Sequence, residues 1–322
     1  MHSKKKLKFA IIGCGKVAIH HAIAIKKLGH EIVYGSTKNE NSINWKSFKK
    51  IFPLTKFLKT EKILERKDID RIVTCLPVDE QIKYCEKLLS SKKPILIEKP
   101  LHTNYIALKK ILTTKNLFLK NKAIAYNRRQ YEVVNILKNK IKKSLIKSVD
   151  INISENYDVL KKKSKKKINK FYLFAGSTSH ILDLSLFLFG KLKILNKWQC
   201  NDKKLKSTSL LLNTNKKFPI FVKINSNDPE NASIKVRFID HTLWSLCPIE
   251  KLNIYNGNKI IKSRNNFFNK EYKSNLKQSY KETKKLKPGF LKQMKNFSNL
   301  NFKELVGPQQ NLKFIKLLKE II

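Results

Sequence analysis

Gly13-Cys14-Gly15-Lys16-Val17-Ala18 is a G-x-G-x-x-A run set between an apolar stretch, residues 7–12, and a stretch of helical periodicity. The first glycine permits a tight turn and the second lets backbone approach a pyrophosphate. The small third residue lets helix and strand pack closely. Free N–H groups at the helix start, with the positive end of its dipole, then meet the anion. This places Gly13, Gly15, Lys16 and Val17 against a dinucleotide. About 20 residues further on, a carboxylate ending the second strand ordinarily binds the ribose 2′-hydroxyl of NAD. Here that strand ends Gly35-Ser36-Thr37-Lys38, two hydroxyls and an ammonium with no carboxylate to repel a 2′-phosphate. The expected cofactor is NAD(P), with NADP favoured and Ser36, Thr37 and Lys38 around the adenosine ribose.

Such a turn needs a strand before it, a helix after it and a parallel sheet beneath it. The sequence supplies them. Apolar runs at 7–12, 31–36, 70–77, 94–100 and 122–126 alternate with helical patterns, including 45–52, 61–67, 79–91 and 104–113. Gly29 stops the first helix. Strand–helix alternation demands parallel pairing with right-handed crossovers. The pattern changes after residue 124. A helix at 131–142 and a strand at 148–154 precede a lysine-rich loop, 160–170, and an almost wholly apolar helix, 178–189, closed by Gly190. Strands at 193–199, 208–213, 219–225, 233–240, 252–256 and 259–263 follow, the last two separated by Asn256-Gly257-Asn258 read as a turn. Two helices, 288–298 and 308–321, finish the chain. The expected class is α/β: an N-terminal Rossmann parallel sheet over 1–124, then an α+β domain over 125–322 with an open, mostly antiparallel sheet. The last helices are free to pack back on the first domain.

Composition narrows the function classes. The net charge of +45 invites a nucleic-acid reading, but only six of the 69 basic residues are arginine. Base readout and bidentate phosphate clamps favour arginine. Abundant Lys, Asn and Ile instead suggest an AT-rich genome and a solvated lysine surface, so no nucleic-acid partner is expected. The charge still attracts anionic substrates. No apolar stretch approaches the roughly 20 residues of a membrane span. The basic start, residues 1–6, leads into a glycine turn rather than a cleavage site, so no export signal is read. The five cysteines form no CxxC pair and no zinc spacing, and no metal is expected. Buried, reduced thiols fit a cytoplasmic location.

Four segments together resemble the Gfo/Idh/MocA oxidoreductases, named for glucose–fructose oxidoreductase and inositol 2-dehydrogenase. They are the GCGKVAIHH loop, Leu76-Pro77, Glu98-Lys99-Pro100, and Ser179-His180-x-x-Asp183 with its following LFG. The resemblance implies hydride transfer at a hydroxyl or keto carbon of a sugar, sugar phosphate or nucleotide sugar. It implies that Leu76, Pro77 and Glu98 border the cofactor, and that Lys99 lies near the nicotinamide and the substrate hydroxyl. It makes His180 the catalytic histidine. Lys99 also stands at the carboxyl end of a parallel strand, where open α/β sheets bind ligands. An ammonium there stabilises alkoxide character, and imidazole titrates near working pH. Asp183, one turn on, either orients that imidazole or caps backbone groups. Asn127 and Arg128, in the segment after the strand at 122–126, either hold substrate or join an interdomain salt-bridge cluster. The resemblance further implies a homodimer or homotetramer through the second sheet.

The sequence departs from the family at three places. Many members carry an aspartate four residues before the catalytic histidine, where this chain has Gly176. A common histidine in the helix after the third strand is Gln81, and a common asparagine is Val78. The missing aspartate keeps a second class of function open: a nucleotide-binding sensor or scaffold without catalysis. Retention of both Lys99 and His180 opposes it.

Overall fold

A computed structural model describes residues 5–114, 116–156, 176–201, 206–262, 270–283 and 286–321. The lysine-rich loop expected at 160–170 lies outside them. The chain divides into two units, Met1–Gln130 with Lys284–Ile322, and Tyr131–Thr283.

In the first unit the short apolar runs become parallel strands, because each is followed by a segment that returns the chain across the sheet. The order is Lys8–Ile12 (β1), Lys16–Lys27 (α1), Glu31–Ser36 (β2), Ile43–Ile51 (α2), Lys56–Phe57 (β3) and Thr60–Glu65 (α3). Arg71–Thr74 (β4), Val78–Ser90 (α4), Ile95–Ile97 (β5), Tyr105–Leu112 (α5) and Lys122–Ile124 (β6) follow. The sheet runs β3-β2-β1-β4-β5-β6 with every pair parallel. The two-residue β3, which periodicity does not announce, pairs Lys56 and Phe57 with Tyr34 and Gly35. Strand order reverses between β1 and β4, and this opens a crevice at their carboxyl ends.

Helices Phe290–Ser298 (α8) and Pro308–Ile321 (α9) complete this unit. Phe290, Met294 and Phe297 of α8 are buried in one cluster with Phe9, Ala22 and Ile25 of β1 and α1. The N–H of Ile124 donates to the carbonyl of Val306 at 2.8 Å. The units divide after Gln130 and before Lys284, so the last two helices belong with the first sheet. The last helices carry apolar faces that the first sheet covers.

The second unit contains Glu132–Lys143 (α6), Ile146–Glu155 (β7) and Ser177–Phe189 (α7). Seven further strands follow: Leu192–Asn201 (β8), Lys206–Thr214 (β9), Pro219–Ser226 (β10), Ser233–Phe238 (β11), Thr242–Leu246 (β12), Lys251–Lys262 (β13) and Lys270–Lys281 (β14). The sheet runs β14-β13-β12-β11-β7-β10-β9-β8, antiparallel except for the parallel β7–β10 pair. Alternation sets its faces. Leu210, Leu212, Ile220 and Val222 are buried, while Phe221 and Trp198 stand exposed.

Three features correct the sequence reading. β12 and β14 are strands that the sequence reading does not contain. The turn expected at Asn256-Gly257-Asn258 is interior to the single strand β13. Gly257 has φ of +62°, and the β13–β14 register shifts between Tyr255 and Asn258. The glycine marks a bulge in a continuous pairing rather than a chain reversal. Among the described residues, no helix is long and apolar enough to cross a membrane.

Candidate active site

The β1–α1 turn is built around Gly13. Its φ is +90°, and a Cβ there would stand 2.6 Å from the carbonyl oxygen of Cys75 after β4. Only glycine fits both the conformation and that approach. The N–H groups of Gly13 and Cys14 donate to the carbonyl of Ser36 at 2.9 and 3.1 Å, which ties the turn to the end of β2. Gly15, by contrast, has open space within 4 Å of its Cβ direction. It caps α1 with no side chain, and Lys16 and Val17 after it are exposed. Ala18 is fully buried where helix meets sheet. Free N–H groups at the start of α1 therefore face unfilled space, as a pyrophosphate site requires. These residues fit a dinucleotide.

The other predicted segments of this unit share that edge. Thr37 and Lys38 follow β2, Leu76 and Pro77 follow β4, Glu98 and Lys99 follow β5, and Asn127 and Arg128 follow β6. Ser36 is turned inward. It is buried, and its hydroxyl bonds that of Thr60 at 3.0 Å. Thr37 donates to the carbonyl of Asn39 at 2.7 Å and accepts from Ser42 at 2.8 Å, while Lys38 is exposed. The Asn127 amide donates to the carbonyl of Pro288 at 3.0 Å. Arg128 is half-buried, and its buried Nη1 has no hydrogen-bond partner among the described residues.

In the second unit, α7 carries His180 in its first turn, half-buried, and Asp183 one turn on, fully buried. Residues three apart on a helix share a face. The carboxylate at the start of α7 comes from Glu155, the last residue of β7. Its Oε2 accepts from the Thr178 N–H at 2.9 Å and the Thr178 hydroxyl at 3.0 Å.

Residues 7–117 match the family described as oxidoreductases with an NAD-binding Rossmann fold, Gfo/Idh/MocA. The match spans about a third of this chain. Its N-terminal domain is of the NAD(P)-binding Rossmann type. No curated protein matches the sequence. Solved structures share the whole fold. A dehydrogenase (MviM) from Clostridium difficile has a TM-score of 0.73 at 17% identity, over 98% of this chain and 99% of that one. The WlbA dehydrogenase from Bordetella pertussis, in complex with NADH and UDP-GlcNAcA, has 0.73 at 14%, over 98% and 95%. KijD10, a 3-ketoreductase from Actinomadura kijaniata in complex with TDP-benzene and NADP, has 0.69 at 12%, over 98% and 97%.

The Glu98-Lys99-Pro100 segment is held by side chains of α1 and α4. Glu98 is the residue of this segment expected to border the cofactor. Its carboxylate is held by the buried His21 of α1, Nε2 to Oε1 at 2.8 Å, and accepts from the Lys99 N–H at 3.2 Å. Gln81 donates to the Glu98 carbonyl and accepts from the Thr74 hydroxyl at 3.2 Å. Gln81 thus ties α4 to the ends of β4 and β5. Sequence reasoning named Gln81 only as a departure from the resembled family and did not single out His21 or Glu155 as supports of the candidate residues. The second histidine of GCGKVAIHH was a visible signal. For Glu155 the only signal was a helix start with neither a capping side chain nor an acid of its own.

All five cysteines are free. Burial pushes the Cys14 and Cys85 thiols up to about 12, so they stay protonated and inert. Among the described residues, no group of three His, Cys, Asp or Glu side chains is placed to hold a metal ion.

Proposed function

We propose that this chain is an NAD(P)-dependent dehydrogenase or reductase acting on a secondary alcohol or ketone carbon of a nucleotide sugar or sugar phosphate. The observation that carries the reading is the Gly13–Gly15 turn. One glycine is forced by contact, the other faces open space, and an uncapped helix start stands behind them. Bound there, the dinucleotide supplies or accepts the hydride at nicotinamide C4. Lys99 orients the reacting hydroxyl and stabilises its alkoxide character. His180 takes the hydroxyl proton as the alcohol is oxidised and returns it as the ketone is reduced. Asp183, buried one turn along, steadies the helix face that carries the imidazole.

Thr37 and Lys38, at the end of a β2 strand without a carboxylate, favour NADP. Ser36 drops out of that set because its hydroxyl is committed to Thr60. A phosphorylated substrate is supported by Arg128 and the net charge of +45. The nucleotide-bearing molecules bound by WlbA and KijD10 also support it. Neither nucleic acid nor membrane enters this reading, and its setting is the cytoplasm. The exposed Trp198 and Phe221 on the outer face of the large sheet support a homodimer or homotetramer.

Fluorescence titration with NADH and NADPH, then turnover of a panel of UDP- and TDP-sugars, tests the proposal. Saturable binding, tighter for NADPH, is expected. Absence of binding by both dinucleotides overturns it. Lys99→Ala and His180→Ala each lose on the order of 10²- to 10⁴-fold in kcat. Full turnover by either variant removes that residue's role.

A further inference from the structure

Helix α7 starts without the usual means of paying for its first N–H groups. Its N-cap is Gly176, which has no side chain, and its first turn contains no acidic residue. The first N–H groups of a helix have no intrahelical partner and carry about half a positive charge. A chain that places a functional imidazole in that same turn must settle both. Imidazolium is disfavoured beside a bare helix N-terminus, and a frayed first turn does not fix the ring.

Glu155 answers this from another element. It is buried at the end of β7, and its own carbonyl accepts from the Asn227 N–H at 2.9 Å, which fixes the strand end. Its carboxylate takes both polar hydrogens of Thr178, the second residue of α7. A Cβ built on Gly176 would collide with both carboxylate oxygens of Glu155 and with its Cδ. The carboxylate therefore fills the volume where a side chain of the cap residue would begin. Glycine at 176 and glutamate at 155 are two halves of one arrangement: the cap is vacated and the acid arrives from the neighbouring strand.

We propose that Glu155 is a positioning residue for His180. It caps α7 across the strand–helix boundary, fixes the first turn that carries the imidazole, and places a negative charge at that helix start. The inference rests on the reading of His180 as the acid/base group. It also predicts an exchange of roles. An aspartate at 176 is incompatible with Glu155 but replaces it when Glu155 is shortened, because aspartate is among the best N-cap residues.

The test uses the full chain with ¹³C-labelled histidine, read at one fixed pH by the His180 ring signals, assigned through His180→Ala. Amide exchange at 177–180 is the second readout. In Glu155→Ala the His180 ring signal shifts while the other six histidines hold, and the Thr178 amide exchanges on the order of tenfold faster. Glu155→Gln, which keeps one acceptor and the volume, shows a smaller change of the same sign. Gly176→Asp alone is perturbed by the collision. Glu155→Ala combined with Gly176→Asp returns both readouts toward the parent. An unchanged His180 signal in Glu155→Ala and Glu155→Gln overturns the proposal. So does a double variant no closer to the parent than the single one. These readouts need no substrate, so their failure is separable from that of the catalytic reading, which falls if His180→Ala keeps full turnover.

Discussion

At the scale of single residues, the two glycines of the phosphate turn do different work, and substitution separates them. Gly13→Ala meets both a left-handed backbone and a carbonyl oxygen at 2.6 Å. It is expected to cost about 1–3 kcal/mol of stability and to abolish dinucleotide binding. Gly15→Ala meets nothing within 4 Å and leaves a backbone that any residue adopts. Its stability should stay within about 0.5 kcal/mol of the parent, while its methyl obstructs approach to the helix start and weakens binding. Urea melts paired with NADH titration check both. Equal stability losses in the two variants would contradict the assignment. The spacing of Gly13, Gly15 and Ala18 was legible because local chain geometry alone demands it. The engagements of Ser36 with Thr60 and of Glu98 with His21 were not, since the partners lie 24 and 77 residues away.

At the scale of elements, β6 is pinned by Lys122, a lysine that opens the strand and is almost fully buried. Its ammonium donates to the carbonyls of Ser91, Lys93 and Phe118 at 2.7, 3.0 and 3.1 Å, and to the Asn121 side chain. This is how the β6 entrance is tied to the loop before β5. Lys122→Met keeps the volume and leaves those acceptors unmet in a dry site. A loss of about 2–4 kcal/mol in urea unfolding is expected, with no direct effect on the ligand edge at the opposite strand ends. Among the elements themselves, the parallel strands were legible because each is a continuous apolar run bounded by turns. β14, with lysines, serines and an asparagine along it, was not. Among the described residues it is an edge strand paired with β13 alone, and an edge needs no buried face. β13 was split at Asn256-Gly257-Asn258 because the turn signal is local, whereas the long pairing with β14 that overrides it is not.

At the scale of the whole molecule, the C-terminal helices decide whether the first unit folds. Phe290, Met294 and Phe297 are buried against Phe9 and Ile25, and Phe314, Ile315 and Leu318 are buried along α9. At roughly 1.5–3 kcal/mol for each such side chain, their loss is as large as the 5–15 kcal/mol by which domains are stable. A chain cut after residue 283 should be insoluble or lack a cooperative melt, and a soluble truncated protein with intact NADH binding would contradict this. The charge of +45 acts at the same scale. Association with an anionic dinucleotide should slow several-fold or more as salt rises from about 20 to 300 mM, because the field is screened over roughly a Debye length. Stopped-flow fluorescence reads the on-rate directly, and a salt-independent rate would assign the lysines to solubility alone.

The sequence by itself determined what short-range chemistry dictates: the glycine turn, the strand–helix alternation, the Rossmann class and the positions of Lys99 and His180 on their elements. Those signals are contained in windows of a few to about fifteen residues, where backbone geometry and burial periodicity operate. Only the tertiary structure decided which distant groups support them. It returned the last two helices to the first unit, gave the carboxylate of Glu98 to His21, and brought Glu155 to a helix start some twenty residues further along the chain. Those partners are chosen by which buried charge and which unpaid N–H groups meet once the chain is packed, and no local pattern encodes that meeting.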